Sequence, residues 1–236
     1  MSEHISKVFD AELEAIRSQV LGMAGLVEQQ VRQAMEALAT GDSAIISQVI
    51  EQEDQVNAMH TKLDDMCVHM IARRQPAASD LRLVMAVIKS VEDLERVGDK
   101  AARICQRART IFEGGKLQVP RLHDLNHIAN HALGMLAQAL DAFARMDALT
   151  ASEVKRLDTQ LDTEYRALNR QLITFMMEDP RTITLMLDIL WIAKAIERIG
   201  DLSVSVAEQV IYLVKGRDVR HMSQEQVDAV AQGERG

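Results

Sequence analysis

Acidic residues four apart recur in this chain at positions where helical side chains turn inward. Glu95-Arg96-Val97-Gly98-Asp99 and Glu197-Arg198-Ile199-Gly200-Asp201 repeat one phrase, E-R-[VI]-G-D, while Glu53/Asn57 and Asp158/Asp162 set two further pairs at the same spacing. Residues i and i+4 stack on one face of a helix, so each pair presents its oxygen atoms to one point. Two carboxylates so placed repel, and on an apolar stripe each is costly unless a cation or hydrogen-bonding partner meets it. Two compensations are open. A hard metal ion could sit between the acids, an all-oxygen set favouring Mg, Mn, Ca or Fe over Zn or Cu. Alternatively, Arg96 and Arg198 swing back and neutralise the acids, which then only fix helix register. Glycine in mid-helix costs about 1 kcal/mol relative to alanine. Gly98 and Gly200, each three residues after its Glu, therefore suggest a use for the space a side chain would fill.

The candidate metal residues are thus Glu53, Asn57, Glu95 and Asp99 in the first half, and Asp158, Asp162, Glu197 and Asp201 in the second. Other chemistry has weaker support. His123, His127 and His131 are also four apart, but His127 lies opposite the apolar seam and the other two only border it. A metal-dependent enzyme of the di-iron bundle kind expects Glu-x-x-His on two helices. No His here has Glu three residues before it; the nearest are Asp124 before His127 and Asp218 before His221. Cys67 and Cys105 occupy apolar-stripe positions without CxxC spacing and read as reduced core thiols. A phosphate-binding GxxxxGK[ST] loop is absent.

Long helices must position these groups. Phe9, Leu13, Ile16, Val20, Met23, Val27, Ala34 and Leu38 follow steps of four and three with one step skipped, predicting a first helix from about Ser6 to Ala39. After Gly41-Asp42-Ser43, a second seam runs from Ile46 to Met70 through Glu53 and His60. Pro76 breaks it, and Ser79 is a natural cap for a third helix starting near Asp80, whose seam carries Glu95 and Gly98. Gly114-Gly115 and Pro120 close this half. The plan then repeats, with seams from Leu122 to Met146 and from Val154 to Phe175, a break at Asp179-Pro180, and a sixth helix carrying Glu197 and Gly200. The reading is all-α: two tandem antiparallel three-helix bundles related by internal duplication, covering residues 1–115 and 116–220. Residues 221–236 form a polar C-terminal tail, frayed with at most one short helix.

The composition suits this. Three prolines, 3% aromatics and abundant Met, Leu and Ala favour helix. A net charge of −8 without a dense basic cluster makes nucleic acid and anionic membrane surfaces poor partners. Met1 to Arg17 lacks the apolar core of a signal peptide, and charges interrupt the most apolar tract, Thr182 to Val214, so a cytoplasmic protein without membrane insertion is expected. Arg73, Arg74, Asp80 and Arg82 at the exposed bend form a possible partner-contact patch.

The irregular segments carry a resemblance as well as the regular ones. The opening Phe9-Asp10-Ala11-Glu12-Leu13-Glu14-Ala15-Ile16, the bend from Ala72 to Val84, Asp141-Ala142-Phe143-Ala144-Arg145-Met146-Asp147, Met176-Met177-Glu178-Asp179 and both E-R-x-G-D copies resemble the PhoU family from residue 4 to about 222. The resemblance implies paired three-helix bundles whose E/DxxxD motifs hold hard divalent or ferric ions such as Mg, Mn or Fe. Glu95/Asp99, Asp158/Asp162 and Glu197/Asp201 match that motif, while Asn57 replaces an acid in the fourth and puts equal affinity of the two sites in doubt. It further implies a non-enzymatic negative regulator of the phosphate regulon. Such a regulator is a homodimeric adaptor between the ATPase subunit of the phosphate ABC transporter and the phosphate-sensing histidine kinase, cytoplasmic and peripheral to the inner membrane through those partners.

Overall fold

The computed structural model describes residues 2–115 and 119–233, so the expected join between the halves and the end of the expected tail lie outside it. Six long helices follow one another: α1 (Ser2–Thr40), α2 (Ser43–Arg74), α3 (Ala78–Glu113), α4 (Leu122–Arg145), α5 (Ala148–Glu178) and α6 (Ile183–Lys215). A short helix, α7 (Gln224–Gln232), comes last. The fold is all-α, two three-helix units in tandem, with no strand among the described residues.

Both units turn from their first helix to their second by one device. The carboxylate of Asp42 accepts from the backbone N–H groups of Ala44 and Ile45, at 2.8 and 3.4 Å. That of Asp147 accepts from Leu149 and Thr150, at 3.0 and 3.2 Å. Each thereby satisfies donors that the first helical turn leaves free. The second bend differs from expectation. Gln75, at φ 47°, ends α2, and α3 starts at Ala78 behind Ala77, which offers no side-chain cap. Ser79 therefore lies inside the first turn of α3 rather than capping it, because the break at Pro76 is already complete two residues earlier.

The core is joined across the duplication. Lys89 lies over the ring of Tyr212, Asp93 meets Ser205 and Arg107 meets Asp188, so α3 and α6 run antiparallel, and theirs is the most extensive interface in the molecule. α1 and α2 cover α3 on one side, α4 and α5 cover α6 on the other, and one continuous apolar cluster runs through both units. Burial on several faces explains why α6 is the most apolar tract. No helix of the described residues is long and apolar enough to cross a membrane.

Two further expectations are settled by packing. Cys67 and Cys105 are buried and unpaired, and burial pushes their thiols up to about 11 and about 12, leaving them protonated and unreactive at neutral pH. The one short helix allowed for in the expected tail is present and docked: Ser223 and Gln226 form a reciprocal capping box, and Val227, Val230 and Ala231 are buried. Arg156 pairs with Asp228 at 2.9 Å, and Gln224 donates to the Ser152 carbonyl at 3.1 Å, tying α7 to α5.

Candidate metal centre

Antiparallel packing brings the acidic pairs of neighbouring helices to one level in each half. Asp158 on α5 is half-buried, and its carboxyl is pushed up to about 6, first by desolvation and then by the charges of Asp201, Asp162, Glu197 and Glu208. The other three expected residues of the second half therefore all lie close enough to act on Asp158. In the first half, Glu53 on α2 is likewise pushed up, by desolvation and then by Asp99, Asp54 and Glu95. Asn57 stands apart: it is exposed, and no hydrogen bond joins it to the other three among the described residues. Among the described residues, no side-chain hydrogen bond offsets the crowding at Glu53 or Asp158.

All the remaining acids but Glu95 are held by cations of their own helices. Lys194 Nζ sits between both carboxylate oxygens of Glu197, at 2.5 and 2.6 Å, and Arg198 reaches Asp201 at 2.6 Å. Lys100 and Arg103 take the two oxygens of Asp99 at 2.7 and 2.8 Å, and Arg166 takes Asp162 at 2.9 Å. The alternative in which arginine swings back is thus realised at Arg198 but not at Arg96. Arg96 turns to Glu92 at 2.5 Å and lies 3.9 Å from Asp93, leaving Glu95 alone. Among the described residues, no three His, Cys, Asp or Glu side chains are disposed as they stand to hold an ion.

The donor chemistry nevertheless fits a hard ion. Every side chain of both sets can present an oxygen to an ion, and most of the competing ion pairs are partly exposed. Such pairs contribute about 0–1 kcal/mol each, so a multivalent ion could displace them.

Glycine also serves helix packing. A Cβ on Gly200 would overlap the side chain of buried Leu161 and stand 3.7 Å from Asp158 Oδ1, so glycine lets α5 approach α6 closely enough to bring Asp158 to the acids. On Gly98, a Cβ would stand 3.0 Å from Gln30 Oε1 and 3.4 Å from Val56 Cγ1. Gln30 is fully buried on α1; it donates to the Val49 carbonyl at 3.3 Å, while its Oε1 has no partner among the described residues. The equivalent place in the second half, beside Gly200, is taken by Met135. The first half therefore has an amide where the second has a thioether, as well as Asn57 where the second has Asp162. The seam of α1 marked this place by its one skipped step, between Val27 and Ala34.

A second missed residue is Asp93, buried on α3, whose carboxylate accepts from Ser205 Oγ at 2.5 Å across the α3–α6 interface. The histidines stay apart from the acid sets: His131 and His127 face Glu164 at 3.1 and 3.4 Å. At the bend, Arg74 is engaged by Glu12 of α1 at 2.8 and 3.0 Å, and Arg82 lies along Gly216 at the end of α6. Arg73 remains exposed and Asp80 half-buried, so only part of the expected patch is open to a partner.

The PhoU domain model matches this chain twice, over residues 20–108 and 125–210, once in each half. A "phosphate-specific transport system accessory protein PhoU homolog" of Pseudomonas putida is 47% identical over 99% of this chain and 91% of its own length. The Escherichia coli protein named as the phosphate-specific transport system accessory protein PhoU is 45% identical over 99% of this chain and 96% of its own. The crystal structure of PhoU from Pseudomonas aeruginosa superposes with a TM-score of 0.85 at 48% identity, covering 89% of this chain and all of that one. That of "the phosphate transport system regulatory protein PhoU" from Streptococcus pneumoniae gives 0.81 at 30% identity, covering 89% and 99%. These names describe accessory and regulatory proteins, in line with the reading of a non-enzyme. Matched in both repeats and along nearly its whole length, this chain belongs to the PhoU family.

Proposed function

We propose that the protein is a regulatory accessory subunit of a phosphate-specific transport system. In this reading it restrains the phosphate regulon by binding, as a metal-loaded, homodimeric adaptor between the transporter ATPase and the phosphate-sensing histidine kinase at the cytoplasmic face of the membrane. Family membership supports the transport role. The observation that carries the metal role is the convergence of Asp158, Asp162, Glu197 and Asp201, with Asp158 pushed up to about 6 by its neighbours' charge. Glu53, Glu95 and Asp99 form the counterpart, completed by Asn57 only if its side chain turns inward. When bound, a hard ion such as Mg, Mn or Fe would supply the positive charge that neutralises these carboxylates. The chain's own part is to hold the acids on facing helices and to release Lys194, Arg198, Lys100 and Arg103 from them.

Metal analysis of protein purified without chelator tests the site. We expect bound ion, lost first from the second half in Asp158→Asn/Asp201→Asn; a stoichiometry near zero in the wild type would sink the metal claim. Affinity capture from phosphate-replete cells tests the adaptor role. Recovery of the transporter ATPase and the sensor kinase is expected, and their consistent absence counts against it.

A further inference from the structure

Between the two repeats, beside the α3–α6 interface, lies a groove of about 630 Å³ that borders the first acid set at Glu53 and Asp99. Its walls carry Lys100, Arg103 and Arg107 from α3 and Lys194 and Arg198 from α6. The only acids among its lining residues are Glu53 and Asp99, so basic side chains outnumber acidic ones on its walls in a chain whose net charge is −8. Trp191, the single tryptophan, is 60% exposed at its edge, with the Arg107 guanidinium 5.7 Å from the ring centroid. Convergent guanidinium and ammonium groups beside an open aromatic face suit a phosphate-bearing anion.

The same cations are those that hold the carboxylates. Lys194 is taken up by Glu197, Arg198 by Asp201, and Lys100 and Arg103 by Asp99, while Arg107 pairs with Asp188 at 3.0 Å. Their positive charge is thus largely cancelled so long as the acids have no other counter-ion. Any ion that satisfies Asp99, Glu197 and Asp201 releases four cations that already line the groove. We propose that this groove binds a small phosphate-bearing anion and that neutralising the carboxylate clusters tightens that binding. The second clause rests on the metal reading above; the first does not.

Trp191 emission reports on the groove directly. Inorganic phosphate and AMP are titrated into the chelator-treated protein, the metal-loaded protein, and the variant Asp99→Asn/Glu197→Gln, which neutralises two acids without any metal. A saturable emission change is expected throughout, with affinity about tenfold or more higher in the variant, the scale of removing like charge near the ligand at surface dielectric. Equal affinity for the two probes assigns binding to the phosphate group alone; tighter AMP binding adds stacking on Trp191. Arg103→Ala/Arg107→Ala, with helicity verified by circular dichroism, should abolish the change. No saturable response from wild type or Asp99→Asn/Glu197→Gln overturns the proposal, as does undiminished affinity in Arg103→Ala/Arg107→Ala. Tightening in the neutralised variant but not on metal loading keeps the groove and removes the metal reading.

Discussion

At the level of single residues, the acids were legible because i, i+4 spacing on a seam is a geometric statement, whereas their partners were not. Whether Lys194 bends toward Glu197 or Arg96 toward Glu92 is a matter of rotamers, and the spacing permits several. Gln30 was half legible: the periodicity skipped its step, but a polar residue on a seam has no assigned partner until the facing helix is known. Asp158 gives a sharp pH test. Its folded value of about 6 lies above the ordinary 3.8, so the folded protein holds that proton more tightly than the unfolded chain. The resulting stabilisation is complete below 3.8 and is lost as pH rises through about 6. Chelator-treated protein should therefore gain from Asp158→Asn at pH 7, with a higher Tm than wild type, and lose that advantage by about pH 4. A Tm difference that does not depend on pH would show that Asp158 is not crowded by Asp162, Glu197 and Asp201. Gln30→Met, copying the other half, should raise stability by about 1 kcal/mol in denaturant titrations, since it removes a buried acceptor without a partner. A substantial loss instead would mean that the amide bond to Val49 outweighs the orphaned oxygen.

Helices and their junctions follow from the sequence wherever a cap or proline defines them, and fail where packing decides. Asp42 and Asp147 cap as their residue type predicts, and Pro76 ends α2. Ser79 loses its expected role because the chain before it has already turned. The capping box at Ser223 and Gln226, followed by three apolar residues at helical spacing, was readable as the start of a docked helix, yet the polar composition of the segment pointed to a tail. The paired glycines are the informative case at this scale. Alanine is the better helix former by about 1 kcal/mol, so on propensity alone both glycines should be stabilised by replacement. Gly200→Ala drives a methyl into Leu161, which is fully buried and cannot withdraw freely, and overpacking of this kind costs about 1–3 kcal/mol. Net destabilisation is expected there. Gly98→Ala meets only the end of Gln30 and the edge of Val56, so a change near zero is expected. Denaturant midpoints of the two variants side by side decide this, and equal effects would show that α5 does not need the close approach.

For the molecule as a whole, duplication was readable from the repeated phrase, but fusion of the two units into one core was not. A seam tells which face of a helix is apolar; it does not tell whether that face meets its own repeat or the other. The clue was the breadth of apolar residues on α6, wider than one three-helix unit can cover. Its consequence is mechanical. With α3 and α6 packed along their length, the halves should unfold as one unit, giving a single transition whose midpoint is the same by circular dichroism and by Trp191 emission. Buried Asp93 joins the halves through the partly buried Ser205, and Ser205→Ala leaves the Asp93 carboxylate without that hydrogen bond. Removing one partner of a buried hydrogen bond costs about 1–3 kcal/mol. Ser205→Ala should therefore lower both probes' midpoints together. Were it to split them, with the Trp191 signal of α6 lost before overall helicity, the repeats would be independent domains in contact. The groove between them would then open with their separation instead of standing as a fixed feature of one body.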